Sequence, residues 1–173
     1  ADAFADLALT PESEGLQAVF FGSTALKKNP FKGASKVERI GVLGAGLMGA
    51  GIAEVSINKG LTAVLKDVNA KGLAVGETNI HKSFAKKVQK KRMTSHKRDE
   101  TLSRLIGVTD EDDFWRPHIN KCDVVIEAVF EDLGLKHRIV KQLEEVCKPS
   151  AIIATNTSGL PVAKIAEAAE RPE

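Results

Sequence analysis

Val37-Glu38-Arg39-Ile40-Gly41-Val42-Leu43 runs directly into Gly44-Ala45-Gly46-Leu47-Met48-Gly49-Ala50-Gly51-Ile52-Ala53. The first seven residues are β-branched and apolar enough for a short strand. The residues from Leu47 to Asn58 suit a helix. Between them lies G-x-G-x-x-G. Gly44 permits a tight turn, Gly46 leaves room for a ligand to reach the backbone, and Gly49 lets the helix pack closely on the strand. A helix that starts there points free N–H groups and a positive dipole end outward, which suits a pyrophosphate. Glycine-rich turns are common, so the motif alone is weak. A second strand, Thr62 to Asp67, strengthens it by ending in an acid 23 residues after Gly44. A carboxylate there accepts hydrogen bonds from ribose hydroxyls. It also repels a 2′-phosphate, and no arginine follows it. The expected cofactor is therefore NAD, bound by Gly44, Gly46, Leu47, Met48, Gly49 and Asp67.

Outward from this stretch, strands and helices alternate. A long helix is expected from Ala70 to about Lys91, and another from Lys97 to Leu105. Gly107-Val108-Thr109 reads as a short strand and Asp123 to Val129 as a buried one. A helix follows over Leu135 to Val146, a strand over Ala151 to Thr155, and a last helix over Pro161 to Ala169. This alternation predicts an α/β domain of the Rossmann type, doubly wound, with a mostly parallel sheet. Before it the pattern differs. Ala1, Phe4, Leu7 and Ala8 have helical spacing. Thr10-Pro11-Glu12 reads as an N-cap, a proline at the first helical position and a first-turn acid. The helix after it carries Leu16, Val19, Phe20 and Leu26 on one side and ends before Asn29-Pro30-Phe31-Lys32-Gly33. Residues 1–35 are thus expected to form a helical linker, and 36–173 the cofactor domain.

The chain has 173 residues, 43% hydrophobic and 28% charged. That suits a folded domain rather than a disordered chain, and no run of about 18 uncharged apolar residues offers a membrane span. Cys122 and Cys147 are too few for a disulfide framework, and no spacing suggests a metal site. Net charge is +2, but eight basic residues and no acid lie between Lys82 and Arg98. Without those eight, 17 basic residues face 23 acidic ones. Such a cluster attracts a polyanion or forms a solvated helix face. Nucleic acid is disfavoured, because only Phe84 interleaves with the lysines.

Val125-Ile126-Glu127-Ala128-Val129-Phe130-Glu131-Asp132, then Leu135-Lys136, then Asn156-Thr157-Ser158, resembles the 3-hydroxyacyl-CoA dehydrogenase family. The likeness spans about Lys36 to Glu173. Thr10-Pro11-Glu12-Ser13 to Lys27-Lys28-Asn29-Pro30-Phe31 is similar to the linker that follows an enoyl-CoA hydratase domain in multifunctional β-oxidation enzymes, the mitochondrial kind first and the bacterial and peroxisomal kinds next. The resemblance implies oxidation of (3S)-3-hydroxyacyl-CoA with NAD. It makes Glu131, Lys136 and Asn156 cofactor contacts, Ser158 the catalytic residue on the substrate oxygen, and Ser83 and Lys90 contacts to CoA. The alternative for Glu131 and Lys136 is a surface charge pair flanking a helix start, and for Asn156 and Ser158 it is helix capping before Pro161. Gly159 stands where the family often has a second serine. Glu127 has no assigned chemistry and is expected to be satisfied by backbone N–H groups.

The resemblance places the catalytic histidine and a closing helical domain after Glu173, so the chain is expected to bind NAD without turnover. His81, His96, His118 and His137 are expected at the surface. Implied partners are an acyl-CoA, a preceding hydratase domain, a thiolase subunit and a peripheral membrane contact of the whole assembly. The implied compartment is mitochondrial in a eukaryote and cytoplasmic in a bacterium. Two other readings stay open: a module with a vestigial pocket, and another NAD-dependent dehydrogenase.

Overall fold

The computed structural model describes residues 2–28, 33, 35–111 and 113–172. The expected breaker at residues 29–32 lies outside them. Two compact units are present, Ala1–Lys36 and Val37–Glu173. In the first, α1 is Asp2–Ala8 and α2 is Pro11–Leu26. Thr10 caps α2 by accepting the Ser13 N–H, and Pro11 opens the helix where its missing N–H costs nothing. Leu16, Val19 and Phe20 of α2 are exposed.

The second unit runs β1 (Arg39–Leu43), α3 (Leu47–Asn58), β2 (Thr62–Asp67), α4 (Ala70–Gln89), α5 (Ser95–Leu102), β3 (Leu105–Thr109), α6 (Trp115–Asn120), β4 (Val124–Glu127), α7 (Leu133–Val146), β5 (Ile152–Thr155) and α8 (Val162–Ala166). The five strands form one sheet in the order β3-β2-β1-β4-β5. Every pairing is parallel. The chain reverses its direction of winding between β1 and β4, so the carboxyl ends of those strands splay apart there and leave a crevice.

Period-two alternation sends side chains to two cores. Ile40, Val42, Ala63 and Leu65 pack with Ala50, Ala53 and Ile57 of α3 and with Ile80 and Phe84 of α4. Leu43, Val64 and Val125 face the other way, against Trp115 and Ile119 of α6 and Ile139, Leu143 and Val146 of α7. Burying Phe84 completely contributes about 2–3 kcal/mol. Cys122 and Cys147 are buried free thiols in the second core.

Several element boundaries differ from the sequence reading, for physical reasons. The helix expected over Lys97–Leu105 begins earlier, because Thr94 caps it by accepting the Lys97 N–H. It ends earlier too, because Leu105 pairs with Ala63 as the first residue of β3. Asp132 caps α7, which therefore starts at Leu133 rather than Leu135. Short α6 was missed, since six residues are too few to show a period.

Candidate active site

The crevice holds a cavity of about 1070 Å³ over the carboxyl ends of β1, β2 and β4. Gly44, Gly46, Leu47, Met48 and Asp67 line it, with Ala128, Val129 and Phe130 on the far side and Arg138 and Lys141 of α7 along the wall. Gly44 has a φ of +98°, and a Cβ there would stand 2.7 Å from the Ala128 carbonyl oxygen. Gly49 lies beneath the turn rather than in the cavity. Its Cβ would fall 1.8 Å from the Gly44 oxygen, so the absence of a side chain lets α3 approach β1. Gly46 is different again, because a Cβ there would meet nothing within 4 Å. The space above it is open, and α3 starts there without a side-chain cap. The first-turn N–H groups therefore have no intrahelical partner and no capping oxygen, which fits a diphosphate.

Asp67 works on the turn as well as facing the cavity. Its Oδ2 accepts the Ala45 N–H at 2.8 Å, and its Oδ1 accepts the Val68 N–H at 2.8 Å. Each carboxylate oxygen keeps a second lone pair for a ribose hydroxyl. Beside it, buried Lys66 pairs with Asp110 at 2.6 Å, and its ammonium lies 4.8 Å from the centre of the Trp115 ring. This floors the β2 end of the cavity.

The loop after β4, on the far side of the cavity, is held by a different device. Glu127, 3% exposed, accepts Lys136 Nζ on both oxygens at 2.8 Å. It also accepts the Val129 N–H at 2.8 Å and the Thr155 hydroxyl at 2.7 Å. Its backbone oxygen takes the Asn156 N–H at 2.8 Å. One residue thus ties together β4, the β4–α7 loop, α7 and the turn after β5. Glu131, on that loop, accepts the Thr157 hydroxyl at 2.5 Å and the Ser158 N–H at 3.2 Å. These two donors hold its carboxyl below the usual range. The Asn156-Thr157-Ser158 turn is thereby tied to the loop at the mouth of β4.

A model of the 3-hydroxyacyl-CoA dehydrogenase NAD binding domain matches residues 39–173. The chain belongs to that family. The chain is 41% identical over 174 residues to the fatty acid oxidation complex subunit alpha of Shewanella oneidensis, covering 98% of this chain and 24% of that one. The Aliivibrio fischeri subunit alpha is 44% identical over 177 residues, covering 100% and 25%. The chain thus spans about a quarter of the curated relatives it matches. Among solved structures, 3-hydroxybutyryl-CoA dehydrogenase from Escherichia coli K12 superposes with a TM-score of 0.74 at 37% identity, covering 80% of this chain and 28% of that one. The cofactor of the domain is NAD.

Within this NAD-binding domain, the residues expected at the site fall into two groups. Gly44, Gly46, Leu47, Met48 and Asp67 line one cavity, with Gly49 as its support. Glu131, Lys136, Asn156 and Ser158 share one hydrogen-bond network. Lys136 stands otherwise than expected. It lies in the first turn of α7, is 1% exposed rather than at the surface, and donates to Glu127. Glu127 needs more than backbone N–H groups, since an ammonium and a hydroxyl also satisfy it. The nine-residue spacing from the end of an apolar strand to the next lysine was the only sequence signal of this pair.

Ser83 donates to Glu54 at 2.6 Å, an oxygen that also accepts Lys87 at 2.7 Å. Lys90 is exposed at the end of α4, two turns beyond Ser83. None of the four histidines lines the cavity among the described residues. His81 and His96 are exposed, while His118 and His137 are half-buried. His118 packs on Phe114, and His137 Nε2 bonds to the Lys164 carbonyl oxygen at 2.7 Å.

Proposed function

We propose that this domain is the cofactor-holding part of an enzyme that oxidises (3S)-3-hydroxyacyl-CoA to 3-ketoacyl-CoA in fatty-acid β-oxidation. One observation carries the reading. The space over Gly46 is open, and the loop after β4 on the far side of the cavity is tied through Glu127 and Glu131 to the Asn156-Thr157-Ser158 turn. NAD, when bound, supplies an acceptor for the hydride leaving C3 of the substrate. The chain's own residues do the rest of the holding. The α3 N-terminus receives the diphosphate, and Asp67 receives the ribose hydroxyls. Glu131 fixes the turn from which the Ser158 hydroxyl donates to the substrate oxygen. Asn156 would stand beside the nicotinamide, with Lys136 bracing the loop after β4 through Glu127.

The base that takes the 3-hydroxyl proton is a histidine outside this sequence. Ser83 and Lys90 serve the CoA phosphates from α4 and its C-terminal end, where Lys82, Lys86, Lys91 and Arg92 add exposed positive charge. In the whole protein the partners are a hydratase domain, a thiolase subunit and a membrane surface met peripherally. The relatives quoted above are bacterial, which supports a cytoplasmic setting; they lend no support to a mitochondrial one.

Titration of the chain with NAD should give saturable binding that Asp67→Ala weakens at least tenfold. With NADH and acetoacetyl-CoA the chain should show no turnover. A folded chain that ignores millimolar NAD would overturn the reading, and measurable turnover would overturn the assignment of the base to a residue elsewhere.

A further inference from the structure

We propose that Glu54 is a positioning residue that competes with the phosphates of CoA for Ser83 and Lys87, and so limits how tightly α4 holds the substrate. The inference rests on the CoA reading of α4 and deepens it.

Ser83, Lys87 and Lys90 follow one another at intervals of four and three residues. A helix stacks residues so spaced along one face. Lys87 therefore stands between the two residues assigned to CoA, and by position it is a further cation for the same polyanion. It is already held. Its ammonium donates to Glu54 Oε1 at 2.7 Å and lies 4.2 Å from the centre of the Phe84 ring. Ser83 donates its hydroxyl proton to the same oxygen at 2.6 Å. Glu54 comes from α3, which packs beside α4, and its side chain is 21% exposed. One carboxylate oxygen thus engages two of the three donors on the stripe. Lys90 stays exposed at the helix end.

The chemistry of these donors makes the arrangement a competition. A serine hydroxyl has a single proton to donate. An ionised phosphate only accepts, so Ser83 reaches one by giving up Glu54. Lys87 has further N–H groups, but the carboxylate beside it offsets its charge. Binding CoA here exchanges one charged acceptor for another, and the gain is only the difference between them. A site restrained in this way holds a CoA ester loosely, which suits release of one ester before the next arrives.

The test is calorimetric titration of the chain with CoA, for wild type, Glu54→Gln, Ser83→Ala and the double variant. Glu54→Gln keeps the shape of the side chain and removes its charge. It should tighten CoA binding by about three- to tenfold, with a steeper loss of affinity on adding salt. A purely structural role for Glu54 would not tighten binding. Ser83→Ala should cost about threefold more in the Glu54→Gln background than in wild type, because only there is the hydroxyl released. Equal costs in the two backgrounds would mean that Glu54 acts as a distant charge, and would overturn the proposal. So would unchanged or weaker binding in Glu54→Gln; if Lys90→Ala still weakens CoA binding, the CoA reading stands without it. A wild-type chain that ignores millimolar CoA overturns both.

Discussion

The turn after β1 and the loop after β4 are built in opposite ways. At β1–α3 the structure works by omission. Gly44, Gly46 and Gly49 each lack a Cβ for a separate reason: backbone approach to Ala128, open space for a ligand, and close seating of α3. At β4–β5 it works by accumulation, with a buried carboxylate, a buried ammonium, a hydroxyl and backbone N–H groups crowded around Glu127. The first end exposes backbone to the ligand. The second hides its charges and uses them to place two loops. The difference teaches that two neighbouring strand ends can be fixed through unrelated physics, steric at one and electrostatic at the other.

Substitutions can break this contrast, and the largest effect belongs to the charged end. Lys136→Met leaves Glu127 buried without its counter-ion, at a cost of about 3–5 kcal/mol in urea unfolding. Adding Glu127→Gln should restore part of that loss. If Lys136→Met unfolds like wild type, the pair does not hold this end. The next effect belongs to the glycine end. Gly49→Ala forces a methyl against the Gly44 carbonyl, so α3 must shift, at a cost of about 2–3 kcal/mol.

Gly46→Ala sharpens the contrast, because its methyl meets no protein atom. Thermal stability should stay within about 0.5 kcal/mol of wild type, while NAD affinity falls about tenfold. An equal loss of both would mean Gly46 serves the fold rather than the ligand. The smallest effect tests a half-buried analogue of the Glu127 arrangement. Asp123 accepts the Glu38 and Arg39 N–H groups and pairs with Lys148 at 2.5 Å. The Lys148 hydrogen bond and then those N–H groups hold its carboxyl at about 2. Its folded value lies below the unfolded one of about 4, so its contribution is present above pH 4 and lost as pH falls toward 2. Asp123→Asn should cost about 1 kcal/mol at pH 7, screened by solvent, and the gap should close between pH 4 and 2.

The same contrast governs what the sequence made legible. The glycine end is local. Its three glycines sit within six residues, each strand beside them is a short apolar run, and Asp67 closes the second strand. Fold class, strand alternation and cavity lining followed from that. The charged end is tertiary. Glu127 and Lys136 read as separate features of a strand end and a helix start, and only the register of β4 against β5 brings Thr155 beside Glu127. Burial of Lys136 ran against ordinary expectation for a lysine. Helix ends set by capping, at Thr94 and Asp132, moved two boundaries for a similar reason, since a cap depends on which N–H it reaches.

The bond from the Ala45 N–H to Asp67 has a consequence for anyone wishing to change coenzyme preference. Accepting a 2′-phosphate calls for removing the Asp67 carboxylate, yet the same atoms clasp the glycine turn in place. Exchange of that single residue would free the Ala45 amide and slacken the turn under the diphosphate. A redesign for NADP therefore has to install a neutral acceptor for that amide together with the new cation. Selectivity and scaffold are here one residue, and they can be altered only as a pair.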